Sequence, residues 1–205
     1  MKRFFAKIIK KGSGCRAEVA ITFDDGPNRE LTPKIIELFE QNEMKATFFV
    51  TGKAAGQYPE IIRLLLAKGH QLGNHSWNHK SMIFKAYNYL KSDIARTDRL
   101  LETLGVLQPI QFRPPYMRIM LMTGWILARM GKNCIKANIS PKDFKAESAE
   151  EISNLVLTKV KPGSIIVLHD GGKADQKTVE ALSVILPELK KRGLRSVTVD
   201  ELLKN

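Results

Sequence analysis

The sequence predicts a single α/β domain in which parallel strands alternate with helices. A chain of 205 residues with 43% hydrophobic content can bury one sizeable core but is short for two ordinary domains. Short β-rich runs alternate with helical patterns over almost the whole chain, and no low-complexity linker or internal repeat interrupts them. This alternation is typical of a barrel or of a wound parallel sheet. In both folds a site assembles at the carboxyl ends of the strands.

Seven short runs are predicted as strands, and the segments between them have helical patterns with recognisable ends. The predicted strands span residues 18–23, 45–50, 70–73, 110–112, 133–137, 164–168 and 196–199. A first helix is predicted after a Thr32 cap, and further helices are predicted at residues 59–68, 89–104, 148–161 and 176–192. Ser148 and Glu151 form a capping-box pattern, whereas Pro187 predicts a kink or break in the last helix.

The charge balance favours anionic partners. The chain has 33 Lys and Arg against 21 Asp and Glu, a formal net charge of +12, which suits a membrane surface or an acidic polymer. A solvated basic surface with no specific partner is the alternative. The cations are scattered, without a zinc finger, an RNA-binding aromatic signature or a long basic run, so nucleic acid is not a predicted partner.

Residues 1–16 are predicted to be a basic N-terminal segment, separate from a domain at residues 17–205. Three lysines within residues 7–11 interrupt its apolar run, so we expect no cleavable signal, but either a frayed terminus or a segment lying on an anionic membrane. The uncharged apolar stretch at residues 119–128 is too short to span a bilayer. Cys15 and Cys134 are predicted to be unreactive thiols. We therefore expect a cytoplasmic protein, with peripheral membrane contact as an option.

Two adjacent carboxylates, Asp24 and Asp25, stand where the first predicted strand meets the loop Gly26-Pro27. Neighbouring carboxylates repel each other, so such a pair persists where a cation or a proton absorbs the second charge. A metal ligand beside a general base is one interpretation. An ordinary turn is the other, since Asp-Gly-Pro is common turn chemistry.

Further reactive side chains follow other predicted strands. His75 and His79 are four residues apart, so one helical turn or a tight loop could direct both imidazoles at one ion. Two imidazoles and one carboxylate leave open positions on a metal, as a catalytic Zn²⁺ requires. Polar surface or capping roles are the alternative for these histidines.

The segment Arg113-Pro114-Pro115-Tyr116 follows the strand at residues 110–112, and its prolines make it stiff. Arg113 could pair with Asp24 and keep it ionised, and the backbone N–H of Tyr116 could meet an oxyanion, unless the segment is only a rigid surface loop. His169 ends the strand at residues 164–168 and is a candidate general acid.

Taken together, these segments resemble the NodB-type polysaccharide deacetylases, carbohydrate esterase family 4. The resemblance covers about residues 17–203 and rests on four motifs that occur in the family's order with similar separations. They are Thr22-Phe23-Asp24-Asp25-Gly26-Pro27, His75-Ser76-Trp77-Asn78-His79, Arg113-Pro114-Pro115-Tyr116 and Leu168-His169-Asp170. The resemblance implies a distorted (β/α) barrel of about seven parallel strands and hydrolysis of an N-acetyl group from an amino sugar.

The resemblance also implies a role for each matching residue. Asp24 resembles the general base, oriented by Arg113, while Asp25, His75 and His79 resemble the metal ligands. The metal is expected to be Zn²⁺, with Co²⁺, Ni²⁺ or Mn²⁺ as alternatives.

On the substrate side, the resemblance assigns the backbone N–H of Tyr116 to the oxyanion hole and Leu168 to an acetyl pocket beside the acid His169, with Pro114 near the substrate. Asp143 is the best match for a carboxylate that orients or tunes His169.

Four positions depart from the family pattern. Phe144 follows Asp143 where the family has Trp, and it lacks the indole N–H donor. Asn138 stands upstream where the family has Asp. Met117 follows Tyr116 where Gly is usual, and Gln71 stands where an acidic residue is common. These departures put substrate shape in question more than the metal site.

The sequence therefore predicts a metal-dependent deacetylase of an N-acetylated oligo- or polysaccharide. Two alternatives come from other classes: a metal- or carbohydrate-binding module with weak catalysis, and a basic protein that docks on an anionic membrane or polymer. The sequence does not predict the identity of the sugar or the oligomeric state.

Overall fold

The computed structural model of the chain describes residues 4–204. Its strands are β1 (Ile8–Ile9), β2 (Glu18–Asp24), β3 (Thr47–Val50), β4 (Gln71–Asn74), β5 (Cys134–Ile135), β6 (Ile165–His169) and β7 (Arg195–Ser196). Its helices are α1 (Leu31–Gln41), α2 (Gly52–Gln57), α3 (Pro59–Ala67), α4 (Tyr87–Thr103), α5 (Leu121–Arg129), α6 (Ala149–Lys159), α7 (Gln176–Lys191) and α8 (Val199–Leu202).

The strands form a distorted, incompletely paired barrel of parallel strands. The main sheet has the order β4-β3-β2-β6, with β7 parallel to the first two residues of β2. A second parallel pair joins β1 to β5. Single bridges continue the wall: Phe112 bridges β4 and β5, and Ile139 bridges β6. The single-domain parallel α/β fold expected from the sequence is confirmed.

Alternation along the strands separates the outer core from the barrel interior. Val19, Ile21 and Phe23 of β2 belong to the large apolar cluster that packs under the surrounding helices, and the Phe23 ring stacks on Phe48 at 4.9 Å. The even-numbered residues of β2 face the other way, because successive side chains of a strand point to opposite sides. Thr22 and Asp24 are therefore carried into the interior, at the end where the site forms.

Two predicted strands differ from the observed elements. Residues 110–112 contribute only the bridge at Phe112, not a strand. The sequence predicts a strand at residues 196–199, but the observed strand is Arg195–Ser196. Val199 is the first residue of α8. The reason is local, since Thr198 and Glu201 form a capping box that starts a helix where the β-branched residues alone favoured a strand.

Helix ends follow the predictions with two exceptions. The Thr32 cap is wrong: the side chain of Asn28 accepts the N–H groups of Glu30 and Leu31, so α1 begins earlier, and the hydroxyl of Thr32 donates to Asp170. The predicted break at Pro187 is absent, since α7 continues through it to Lys191.

The N-terminal segment pairs with the barrel. The carbonyls of Lys7 and Ile9 accept the N–H groups of Cys134 and Lys136, and the N–H of Gly12 donates to Gly163. A frayed terminus therefore does not describe residues 7–12, whereas residues 1–3 of the predicted segment lie outside the described part. The domain limits at residues 16 and 17 stay a prediction. Within residues 4–204, no helix has the length and apolar character needed to cross a bilayer. The cytoplasmic location stays a prediction too.

Candidate active site

The carboxyl ends of β2, β4 and β6 open into a cleft of about 620 Å³. Its walls include Asp24 and Asp25 after β2, His75 and His79 after β4, and His169 at the end of β6. The structure therefore brings together side chains that are up to 145 positions apart in the sequence. They meet because parallel strands deliver their carboxyl ends to one edge of the barrel.

Asp24 is held by a fully buried arginine. Nη1 of Arg113 lies 2.7 Å from Oδ1 of Asp24 and 2.7 Å from the hydroxyl oxygen of Thr22. The guanidinium also donates from Nε to the carbonyl of Ile135 and lies over the ring of Phe49, with its carbon 4.0 Å from the ring centroid. This pair leaves Oδ2 of Asp24 directed toward His75, whose Nε2 is 3.8 Å away.

The same pair keeps Asp24 ionised. Burial alone would raise the pKa of this carboxyl, but the charge of Arg113, with smaller contributions from two histidines and from the Arg113 hydrogen bond, outweighs burial and holds the pKa below its usual range. The side chain of Asp24 is therefore ionised at neutral pH.

Asp25, His75 and His79 form the one cluster in residues 4–204 with metal-ligand spacing, and their ligand atoms lie within 4.8 Å of one another. Oδ1 of Asp25 is 3.5 Å from Nε2 of His75 and 3.1 Å from Nε2 of His79. Asp25 and His79 have φ angles of 75° and 53°, in the left-handed region that non-glycine residues rarely adopt. The backbone is thus strained at two of the three residues of this cluster.

The donor set fits a divalent cation. Oδ1 of Asp25 is buried without a hydrogen-bond partner among the described residues, which is costly unless a cation meets it. Nδ1 of His75 donates to the carbonyl of Arg113 at 2.7 Å, so Nε2 carries the lone pair. Burial, and next the charge of His75, lower the pKa of His79, which favours its neutral, ligating form.

His169 ends β6, next to Asp24 at the end of β2, and is backed by a buried carboxylate. Its Nδ1 is 2.8 Å from Oδ1 of Asp143, and Oδ2 of Asp143 accepts the N–H of His169 and the hydroxyl of Thr178. Burial opposes the imidazolium charge, but the hydrogen bond and charge of Asp143 outweigh it and raise the pKa of His169 to about 9. His169 is therefore protonated at neutral pH.

Two predicted substrate residues do not reach the cleft. Leu168 is fully buried in the outer core, and Val167 lines the cleft in its place. The strand period explains this, because Val167 shares the face of His169 while Leu168 points the opposite way. Pro114 is buried behind the cleft wall. Tyr116 is present, with its ring centroid 4.7 Å from that of His79 and its hydroxyl directed to the His79 carbonyl.

Two departures from the family pattern line the cleft. Phe144 packs edge-on against His169, with ring centroids 4.9 Å apart, so a ring without a polar donor occupies this wall. Tyr116 and Met117 both have φ angles in the left-handed region, at 59° and 56°. A glycine would adopt the backbone of residue 117 without strain, whereas Met117 places a flexible apolar side chain in the wall.

A supporting network behind His75 was not predicted. The side chain of Asn74 accepts the N–H of Ser76 at 2.8 Å and donates to Oδ1 of Asp98 at 2.8 Å. Lys132 reaches the same carboxylate oxygen at 2.9 Å, and all of these groups are buried. Through Asn74 the pair Asp98–Lys132 fixes the backbone that carries His75. Asp98 lies in α4 and Lys132 follows α5, and no local sequence signal separates them from surface residues.

Asp170 was also unassigned by sequence. Oδ2 accepts the hydroxyl of Thr32 at 2.6 Å, Oδ1 has no partner among the described residues, and burial raises the pKa of Asp170 to about 7. A Cβ added to Gly26 would lie 2.3 Å from this carboxyl group. Gly26 is therefore required for the loop after β2 to pass Asp170.

Comparison with known proteins gives consistent results. The family model described as polysaccharide deacetylase matches residues 11–135. A peptidoglycan-N-acetylglucosamine deacetylase of Bacillus cereus is 37% identical, over 91% of this chain and 88% of that protein. A chitooligosaccharide deacetylase of Azorhizobium caulinodans is 31% identical, over 87% of this chain and 90% of that protein. The crystal structure of the Bc1960 peptidoglycan N-acetylglucosamine deacetylase, in complex with 4-naphthalen-1-yl-N-oxidanyl-benzamide, superposes on this chain with a TM-score of 0.92. The two sequences are 33% identical, and the superposition covers 98% of this chain and 94% of that one.

Proposed function

Because the chain belongs to the polysaccharide deacetylase family, we propose that it removes the N-acetyl group from N-acetylglucosamine units of a glycan, giving acetate and a free amine. The observation that carries the proposal is the cleft itself, which is lined by an ionised Asp24, a protonated His169 and the cluster Asp25, His75 and His79. A hydrolase of this kind needs a base, an acid and an electrophile at one carbonyl group.

Asp25, His75 and His79 would hold the divalent metal. Two imidazoles and a carboxylate suit Zn²⁺ best, with Co²⁺, Ni²⁺ and Mn²⁺ as alternatives. When bound, the ion supplies Lewis-acid polarisation of the acetamide carbonyl and of water. The lone pair of His75 Nε2 and the unpartnered Oδ1 of Asp25 support this role.

Asp24 is proposed as the general base that takes a proton from the attacking water. Arg113 occupies Oδ1 and leaves Oδ2 free on the side of His75, so one oxygen is fixed and the other is available. The low pKa of Asp24 keeps it unprotonated before the reaction. Arg113 thus acts as a positioning residue behind the base.

His169 is proposed as the general acid that protonates the departing amine. Its pKa of about 9 means that the proton is present at neutral pH, and Asp143 fixes the ring through Nδ1 so that Nε2 carries the transferable proton. The backbone N–H of Tyr116 is the proposed oxyanion donor, and Val167 and Phe144 would contact the acetyl group and the sugar.

The rim of the cleft favours a glycan that carries carboxylates. Lys142, Lys145 and Lys173 are exposed and line the cleft, and the only acidic residues among its described lining residues are Asp24 and Asp25. Peptidoglycan carries carboxylates and chito-oligosaccharide does not, so peptidoglycan is the preferred of the two substrates named for relatives.

The test measures acetate released from peptidoglycan fragments and from N-acetylated chito-oligosaccharide, before and after chelation and after return of Zn²⁺. We expect release that stops on chelation and returns with metal, and a His75→Ala variant that binds no metal and releases no acetate. Metal binding without acetate release from either substrate would instead support a binding module, which the complete set of acid, base and ligand residues does not favour.

A further inference from the structure

A group of exposed apolar side chains lies beside the cleft and takes no part in the proposed chemistry. We define this apolar surface by Phe4, Phe5, Phe84, Leu121 and Met122. Phe84 is 88% exposed, Leu121 78% and Phe4 73%, although such side chains are usually at least half covered in a folded domain. Large apolar groups gathered in one place on a surface mark an interaction site.

Contacts show that these residues share one surface. The rings of Phe4 and Phe5 pack edge to face at 4.9 Å, and the next residue, Ala6, donates its N–H to the carbonyl of Gly124 in α5 at 3.0 Å. Leu121 and Met122 are the first two residues of this helix, in the turn that also contains Gly124. The N-terminal phenylalanines therefore lie against the start of α5.

The same surface reaches Phe84 and the cleft. The N–H of Phe84 lies 3.3 Å from the sulfur of Met120, the residue before α5. Phe84 has a φ of 57°, so a strained backbone holds this ring out in solvent. Met120 follows Tyr116 and Met117 of the cleft wall by only a few residues. The apolar surface thus adjoins the cleft mouth.

The residues of this surface lie in stretches of the sequence that lack acidic residues. Residues 1–17, 76–92 and 103–142 contain 15 Lys and Arg and no Asp or Glu, a formal charge of +15. The remaining residues contain 18 Lys and Arg and 21 Asp and Glu, a formal charge of −3. The net charge therefore resides on the acid-free segments, in which Arg113 and Lys132 are buried and paired with carboxylates while the cations near this surface are exposed.

Several of these cations are exposed close to the apolar surface. Lys85 adjoins Phe84, Arg118 lies between Met117 and Met120, and Lys7 follows the N-terminal phenylalanines. Arg129 lies over the ring of Trp125 in α5, with its guanidinium carbon 4.2 Å from the ring centroid. The result is an apolar centre with a basic rim.

We propose that this surface docks the enzyme on an anionic lipid bilayer. Phenylalanine, leucine and methionine side chains enter the boundary between headgroups and acyl chains, while surrounding Lys and Arg meet anionic headgroups. A second copy of the chain would bring two strongly positive surfaces together, which is unfavourable. A soluble anionic polymer would account for the cations but not for the exposed rings. Because the surface adjoins the cleft mouth, a docked molecule keeps its cleft beside the membrane.

The experiment is sedimentation of the full chain with vesicles of phosphatidylcholine alone or with phosphatidylglycerol added, at low and at high salt. We expect binding to the mixed vesicles at low salt, weak binding to phosphatidylcholine alone, and loss of most binding at high salt. The double variant Phe84→Ser, Leu121→Ser should weaken binding by about tenfold or more, since both apolar groups leave the interface. Lys85→Gln and Arg118→Gln should each weaken it by about fivefold.

Matched variants control for exposure and charge alone. Leu107→Ser removes an equally exposed leucine, 86% accessible, in the loop after α4 that leads to the opposite end of the barrel from the cleft. Lys190→Gln removes a cation at the end of α7. Both should bind vesicles as the unmodified chain does. Acetate release from a soluble substrate should be unchanged in all these variants. A negative vesicle experiment would therefore overturn membrane docking without affecting the proposed function.

Three results would overturn the proposal. One is absence of binding to anionic vesicles at low salt. Another is binding that the apolar double variant does not weaken, because the attraction would then be purely electrostatic. The third is a dimer of the unmodified chain in sedimentation velocity that Phe84→Ser, Leu121→Ser dissociates, which would make the surface an interface between copies.

Discussion

The ends of β2 and β6 each hold a carboxylate paired with a cation, but they turn opposite partners toward the cleft. At β2 the cation, Arg113, is buried, and Asp24 lines the cleft with Oδ1 bound at 2.7 Å. At β6 the carboxylate, Asp143, is buried, and His169 lines the cleft with Nδ1 bound at 2.8 Å.

This reversal gives the two walls opposite proton affinities. The buried guanidinium holds the pKa of Asp24 below its usual range, so that wall presents a proton acceptor. The buried carboxylate raises the pKa of His169 to about 9, so the other wall presents a proton donor. One kind of ion pair thus presents a proton acceptor or a proton donor according to which partner lines the cleft.

The substitution His169→Gln tests the proposed general acid most directly. Loss of a general acid should lower kcat by about 10² to 10⁴-fold, while metal content and thermal stability stay close to those of the unmodified chain, since Asp25, His75 and His79 are untouched. The measurement is acetate release together with metal analysis. Equal loss of metal and of activity would make His169 a ligand and not the acid.

The role of the buried carboxylate is tested by Asp143→Asn. Without the negative charge the pKa of His169 should fall from about 9 toward its ordinary value near 6.5, so the pH at which activity declines on the alkaline side should move down by about two units. The neutral amide keeps a hydrogen bond, and we expect a fall of about 10 to 100-fold in kcat at pH 8. An alkaline limb that stays in place would assign that limb to another group.

The ion pair between His169 and Asp143 should also make the stability of the fold depend on pH. The folded pKa of His169 is raised, so the ion pair contributes its full stabilisation below about pH 6.5 and loses it as the pH rises through about 9. The stability difference between the unmodified chain and Asp143→Asn should therefore shrink between these values in urea unfolding. A difference that grows with pH would contradict the assignment.

A third ion pair, Asp98–Lys132, lies outside the cleft lining but supports the proposed ligand His75 through Asn74. Replacing both charges together, Asp98→Asn with Lys132→Met, avoids leaving one buried charge alone. We expect metal affinity to fall by about tenfold, because Asn74 loses a charged acceptor behind the ligand. Metal titration of the folded variant measures this. The matched control Glu43→Gln breaks the exposed pair with Lys190 and should leave affinity unchanged. An unaltered affinity in the double variant would limit Asp98 and Lys132 to a packing role.

The smallest expected effect concerns the cleft wall. Met117 has a φ of 56°, so Met117→Gly should relieve strain and raise the free energy of unfolding by roughly 1 kcal/mol. Met122→Gly, in the regular helix α5, should lower it by about 1 kcal/mol. Urea unfolding measures both. A destabilised Met117→Gly would show that packing of the methionine side chain outweighs the backbone strain.

Sequence reasoning located most of the cleft because its residues follow strand ends. Asp24, His75, Arg113 and His169 each stand where a predicted strand stops, and parallel strands bring such positions together. Asp143 was found only through resemblance, since it lies in no strand. The resemblance assigned Leu168 to the acetyl pocket, but side chains alternate along β6, so Val167 and not Leu168 lines the cleft.

The remaining misses depend on contacts between distant segments. Asp98 and Lys132 meet only after α4 and α5 pack beside β4, and Thr32 donates to a carboxylate 138 positions away instead of capping its helix. The two-residue strand β1 pairs with β5, which no local pattern indicates. Each of these features is set by tertiary packing.

The most direct test of the central assignment is Asp24→Asn, compared with the unmodified chain in acetate release and metal content. The amide retains the shape of the side chain and can accept from Arg113, but it cannot take a proton. We predict a fall of about 10² to 10⁴-fold in kcat with metal content unchanged. Hydrolysis at the unmodified rate would contradict Asp24 as the base.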